Sequence, residues 1–283
     1  MELTVYLLFL AENIILLVRY RRIFRRILAY VTKGKKSGKN IKFEDIDGAW
    51  YTVPSTVILH GAGGRNGARY NNSKESILRG IELGYRVIEI DIGETRDGKY
   101  VLTHRFRPDD ETVFTEKPYE LEFLNGGAIE GETALNLEMF VSLFLNDSQY
   151  YLIDCAHGIE LKVCRWFEEN ATSLQRKNII FQVSDIVTLK HVFEMNVFEN
   201  IHYNSSTKDI FENLIQLERY GVHSCSVDES EIVPQNHYYQ KIIDTGMNIY
   251  AYTVNQKRRW RYLIDVGVKG CFSDFLIEKN ILE

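Results

Sequence analysis

From residue 55 onward, short apolar runs alternate with longer amphipathic ones. Strand-like runs rich in β-branched and aromatic residues occupy 56–60, 86–92, 150–156, 178–183, 200–204, 223–228, 248–254 and 270–274. Segments with helical spacing fill 73–83, 136–146, 159–172, 186–195, 207–220, 235–246 and 256–266. Eight β units alternating with helices predict an α/β protein whose sheet closes into a (β/α)8 TIM barrel. Asn72, with Glu75 three residues on, reads as the N-cap of the first of these helices. The stretch 98–135 breaks the rhythm. It is too long for a simple βα loop and rich in Asp, Glu, Pro and Gly, so it is expected to form a lid or flap over the barrel mouth.

The second run carries an unusual polar pattern. In V-I-E-I-D-I at 87–92, strand alternation puts Glu89 and Asp91 on one face and Ile88, Ile90 and Ile92 on the other. Two carboxylates buried side by side resist joint ionisation, and a hard divalent cation, Mg²⁺ or Ca²⁺, is the simplest relief. The competing reading is an edge strand whose carboxylates are solvated. Arg96-Asp97-Gly98 then turns the chain through another apolar run that ends at His104. Polar residues recur at the ends of the other runs: His60, Asp154, Gln182, Asp228 and Asn255. Barrel active sites are built at that C-terminal face.

Charge divides the chain. Residues 1–39 hold nine Lys/Arg against Glu2 and Glu12, an excess of seven, so with −5 overall the remainder carries −12. Residues 3–18 are apolar apart from Glu12 and Asn13, a run shorter than the roughly 20 residues that span a bilayer. Arginines follow this run instead of preceding it, which argues against a cleaved signal peptide. Two membrane readings stay open: a signal anchor that keeps the body cytoplasmic, or one interfacial helix over 4–31 with its arginines on phosphates. A helix packed on the barrel is the plain alternative. The expected organisation is a hydrophobic and basic N-terminal helix with its linker over 1–40, and a barrel over 41–283. The basic residues cluster in the head without a nucleic-acid motif, so a membrane surface is the expected partner and nucleic acid is not. Four cysteines without C-x-x-C spacing (Cys155, Cys164, Cys225, Cys271) are expected to be free thiols in a reducing compartment.

Several motifs fall at matching distances: H-G-A-G-G at 60–64, N-S-K-E-S at 72–76, G-Y-R-V-I-E-I-D at 84–91, T-R-D-G at 95–98 and V-L-T-H at 101–104. Y-T-V-N at 252–255 and G-V-K-G-C-F-S-D at 267–274 follow in the C-terminal half. Over about residues 55–276 the chain resembles the glycerophosphodiester phosphodiesterase family, within the wider group of phospholipase-C-like phosphodiesterase barrels. The resemblance implies that His60 and His104 are the paired general acid and base, and that Glu89, Asp91 and Asp154 hold one divalent cation.

Those residue types suit the chemistry. A phosphodiester is an anion with a poor alkoxide leaving group, and imidazole is the side chain whose ordinary pKa lies near neutrality. The resemblance also implies attack by a neighbouring substrate hydroxyl through a cyclic phosphate. Three departures bear on substrate. Gly61 stands where the family has Arg, Ala156 where it has Lys, and Tyr252 where it has Trp. Backbone N–H groups of Gly61 and Gly63, with Arg65, are expected to meet the phosphate instead, and His157, Gln182 and Tyr252 complete the expected substrate contacts. The expected substrate is a lysolipid, a deacylated lipid headgroup or a glycerol-phosphate polymer. A lyase that stops at the cyclic phosphate and a non-catalytic, membrane-tethered binding barrel are the alternatives.

Overall fold

A computed structural model describes residues 49–52, 56–64, 71–104, 116–128, 131–145 and 149–277. These fall within one compact unit, Lys42–Glu283. The expected N-terminal helix and linker over 1–40 lie outside the described residues. Among the described residues, no helix is long and apolar enough to cross a membrane.

The elements run in order as β1 (Thr56–Leu59), α1 (Lys74–Glu82), β2 (Val87–Glu94), β3 (Tyr100–Leu102), α2 (Glu120–Gly126) and α3 (Leu137–Phe144). They continue as β4 (Tyr150–Cys155), α4 (Glu160–Asn170), α5 (Ser173–Arg176), β5 (Ile179–Val183), α6 (Ile186–Met195) and β6 (Asn200–Asn204). The last are α7 (Thr207–Arg219), β7 (Ser224–Asp228), α8 (His237–Asp244), β8 (Asn248–Tyr252), α9 (Lys257–Asp265) and β9 (Gly270–Ser273). Eight parallel strands follow one another around the sheet, and β1 pairs with both β9 and β2, which closes the barrel. The expected (β/α)8 TIM barrel is the fold.

Each strand buries both faces, one under helices and one in the barrel interior, so apolar residues sit at successive positions. In β2, Ile88, Ile90 and Ile92 are fully buried on the helix-covered side while Glu89 and Asp91 face inward. The solvated edge strand is thereby excluded. Trp50 and Tyr51, just before β1, close the lower end of the barrel. They pack on the inward residues Ile58, Val87, Leu152, Ile180, Tyr250 and Phe272, with the Trp50 and Tyr250 rings 5.2 Å apart. His202 belongs to this floor. Its ring is wholly buried, its Nδ1 lies 2.9 Å from Ser224 Oγ, and burial pushes its pKa down to about 3. It is a neutral structural imidazole. All four cysteines are free, three of them buried.

Two expectations need correction. The cap of α1 is Ser73, whose hydroxyl accepts from the Ser76 N–H, and not Asn72, which takes a left-handed conformation at φ 47°. The excursion 98–135 is not wholly a lid. Its strand β3 pairs antiparallel with β2, and Val101, Phe123 and Ala134 form a small second core beneath α2. Residues 105–115 lie outside the described residues.

The floor makes a large contribution to stability. Trp50 is 1% exposed, and Trp50→Ala should cost about 3–5 kcal/mol, as deletion of a buried aromatic ring typically does. A fall in the urea midpoint at unchanged m-value would show it.

Candidate active site

Three carboxylates converge at the upper end of the barrel interior. Asp154 on β4 stands opposite Asp91 on β2 in the parallel register, and Glu89 lies one inward position below Asp91. One oxygen from each of the three lies within 4.8 Å of the others. Glu89 and Asp91 are 2% and 4% exposed. Loss of solvent, then the charges of Asp91 and Asp154, push the Glu89 carboxyl well above its ordinary value. Loss of solvent, then the charge of Asp91, push Asp154 up to about 7. A buried acidic triad of this kind is not satisfied by the protein alone, and its all-oxygen donor set fits one hard divalent cation.

The three acids are held by amides. The Asn72 side chain clamps Asp91 at two points, its Nδ2 donating to Oδ2 at 2.8 Å and its Oδ1 accepting from the Asp91 N–H at 2.9 Å. The left-handed backbone of Asn72 permits this approach, and asparagine tolerates that conformation better than most residues. The Gln182 side chain hydrogen-bonds Asp154, and the Gly61 N–H donates to Glu89.

The two histidines flank the triad. His60 opens a short 3-10 turn directly after β1, and the hydrogen bond from Gly61 to Glu89 fixes that turn against the acids. Its Nδ1 lies 2.9 Å from the buried Asp274 carboxylate, which accepts a 2.6 Å hydrogen bond from Asn255 Nδ2. The carboxylate therefore orients the ring through Nδ1. His104 follows β3, where the Thr103 N–H donates to the Asp91 carbonyl at 3.0 Å. His104, Asp91 and Asp154 line one cleft.

The expected substrate contacts fare differently. Three of the four N–H groups of the 61–64 loop are engaged within the protein: Gly61 on Glu89, Gly63 on the His60 carbonyl and Gly64 on the Asp274 carbonyl. Gly61 and Gly63 therefore shape the His60 turn and do not present free donors to a phosphate. Gln182 is buried and hydrogen-bonded to Asp154. Tyr252 sits half-buried at the end of β8, its ring edge-on to Phe272. His157 lines the cleft, but its side chain is 91% exposed beside Glu160. Arg65 lies outside the described residues. Asp228 accepts from the Ser230 N–H and hydroxyl as a cap.

The model of the glycerophosphoryl diester phosphodiesterase family matches residues 60–224, more than half of the chain. The chain belongs to that family. It is accordingly a phosphodiesterase, and the non-catalytic reading falls away. Solved family members share the fold at low identity. A putative glycerophosphoryl diester phosphodiesterase from Silicibacter pomeroyi is 17% identical, with a TM-score of 0.64, covering 82% of this chain and 94% of its own. An Oleispira antarctica phosphodiesterase, solved with the product sn-glycerol-3-phosphate, is 19% identical, with a TM-score of 0.63, covering 81% and 97%. One from Parabacteroides distasonis is 18% identical, with a TM-score of 0.64, covering 84% and 91%. Among curated protein sequences, none is significantly similar to the chain.

The acid triad sets a pH dependence with a definite sign. In protein stripped of metal, the raised Asp154 group binds a proton that the unfolded chain has already released, so the folded state holds more protons between the ordinary aspartate range and about 7. Stability should then fall as pH rises through that window. Urea midpoints at pH 5 and pH 8 in EDTA should show this contribution, and excess Mg²⁺ or Ca²⁺ should reverse it by binding the ionised triad.

Proposed function

We propose that this phosphodiesterase hydrolyses a glycerophosphodiester-type substrate at a single divalent-cation site, with His60 and His104 as paired general acid and base. The observation that carries the reading is the placement of two histidines by the one triad of Glu89, Asp91 and Asp154: His104 shares its cleft, and His60 sits on the turn bound to Glu89 and acts on Asp154 by its charge. The three carboxylates would hold Mg²⁺ or Ca²⁺, which supplies charge neutralisation and polarisation at the phosphoryl oxygens when bound.

The protein's own part is positioning and proton transfer. Asn72 and Gln182 keep two of the acids in place. Asp274 holds His60 by Nδ1, which fixes the ring for proton transfer at Nε2. One imidazole takes the proton from the attacking hydroxyl while the other gives a proton to the departing alkoxide. A neighbouring hydroxyl of the substrate serves as nucleophile, and water opens the resulting cyclic phosphate in a second round. The relative from Oleispira antarctica carries sn-glycerol-3-phosphate as product, which supports a glycerol-phosphate ester as one half of the diester here. The apolar and basic pattern of residues 1–40 supports work at a membrane surface from the cytoplasmic side, on lysolipids, deacylated headgroups or glycerol-phosphate polymers.

A panel of such diesters, assayed with and without EDTA and followed by phosphorus NMR, tests the reading. Turnover should need the cation, and His60→Ala or His104→Ala should each lower kcat by about 10²–10⁴. Accumulation of a cyclic phosphate as the final product would reassign the enzyme as a lyase, and metal-independent turnover would refute the proposed mechanism.

A further inference from the structure

We propose that Lys117, brought to the cleft by the 98–135 excursion, is the residue that binds the anionic phosphate of the substrate. The proposal rests on the phosphodiesterase reading above. Three buried carboxylates outweigh one divalent cation by a negative charge, so an entering diester anion meets net repulsion unless a further cation faces it. The 61–64 loop supplies little of that relief, because three of its four N–H groups are directed at Glu89 and at two carbonyls. Among the described residues that line the cleft, Lys117 carries the one ammonium group. His157, the other cleft residue outside the histidine pair that accepts a proton, points into solvent beside Glu160.

The present partner of Lys117 is one it can leave. Its Nζ lies 3.5 Å from Glu94 Oε2, and the side chain is half-exposed, a long ion pair of small worth. Glu94, itself on the cleft wall, keeps a shorter contact through its other oxygen, with Lys162 Nζ at 3.0 Å. Transfer of Lys117 to a phosphate therefore leaves Glu94 paired. The flexible four-carbon stem of lysine suits such an exchange, since the ammonium acts as a point charge and needs no fixed fork geometry.

Calorimetric titration of the Mg²⁺-loaded full chain with inorganic phosphate tests this without relying on turnover. Lys117→Ala should weaken phosphate binding by about tenfold, the change expected for one charge-assisted contact, and Lys117→Arg should keep it within about threefold. Arg96→Ala removes an equal charge from a nearby exposed pair with Glu116 and should alter it by less than about twofold. Glu94→Gln, which removes the competing carboxylate, should tighten binding. In steady state, Lys117→Ala should raise KM more than it lowers kcat. Equal affinities for wild type and Lys117→Ala, equal losses in Lys117→Ala and Arg96→Ala, or no phosphate binding by the wild type would each overturn the assignment. Wild-type turnover is scored separately: diester hydrolysis with no effect at Lys117 refutes this role and leaves the proposed function standing.

Discussion

Mutual repulsion among three buried carboxylates is the constraint around which the upper half of this barrel is arranged. Taking Glu89, Asp91 and Asp154 out of water is unfavourable for each alone, and proximity makes joint ionisation harder still. A fold does not retain such a cluster for stability, because apolar side chains would fill the same space at lower cost. Its neighbours make sense in that light. Asn72, Gln182 and the Gly61 N–H are all donors, each aimed at an acid. They hold the oxygens in place without neutralising them, which keeps the demand for a cation intact.

The barrel separates this demand from the requirement to stay folded. Its floor is aromatic and aliphatic, with Trp50 tilted against Tyr250 and packed under the inward residues of six strands. Even the polar member of that layer, His202, is kept neutral by burial. The strained electrostatics therefore sit in the upper layer, directly above a packed core. Conflict in one layer is offset by consistency in the other.

What could be read in the sequence follows from the range of each interaction. The strands and helices were legible because burial on both strand faces leaves contiguous apolar runs, and helices leave a periodic stripe. Glu89 and Asp91 were legible because alternation within one strand is a local rule. Asp274 gave no sign of its contact, since nothing in S-D-F reveals that its carboxylate crosses to His60 from the far end of the chain. Asn72 looked like a cap, and the register of one residue that makes Ser73 the cap depends on the left-handed turn at Asn72. The G-A-G-G loop suggested free backbone donors, and only the packed turn shows where its N–H groups point. Lys117 carried no signal at all. Its importance depends on the excursion bringing it beside Glu94, a contact that no periodicity encodes.

The excursion leaves and rejoins the barrel through adjacent backbone. The Leu102 N–H donates to the Leu135 carbonyl, and Val101 bridges to Asn136, while Thr103 fastens the His104 end to Asp91. The two ends of the excursion are thus pinned side by side, and lengthening a loop closed in this way is entropically mild. A change of length between these pins should leave the Thr103–Asp91 contact, and with it the place of His104 on the cleft, as it is.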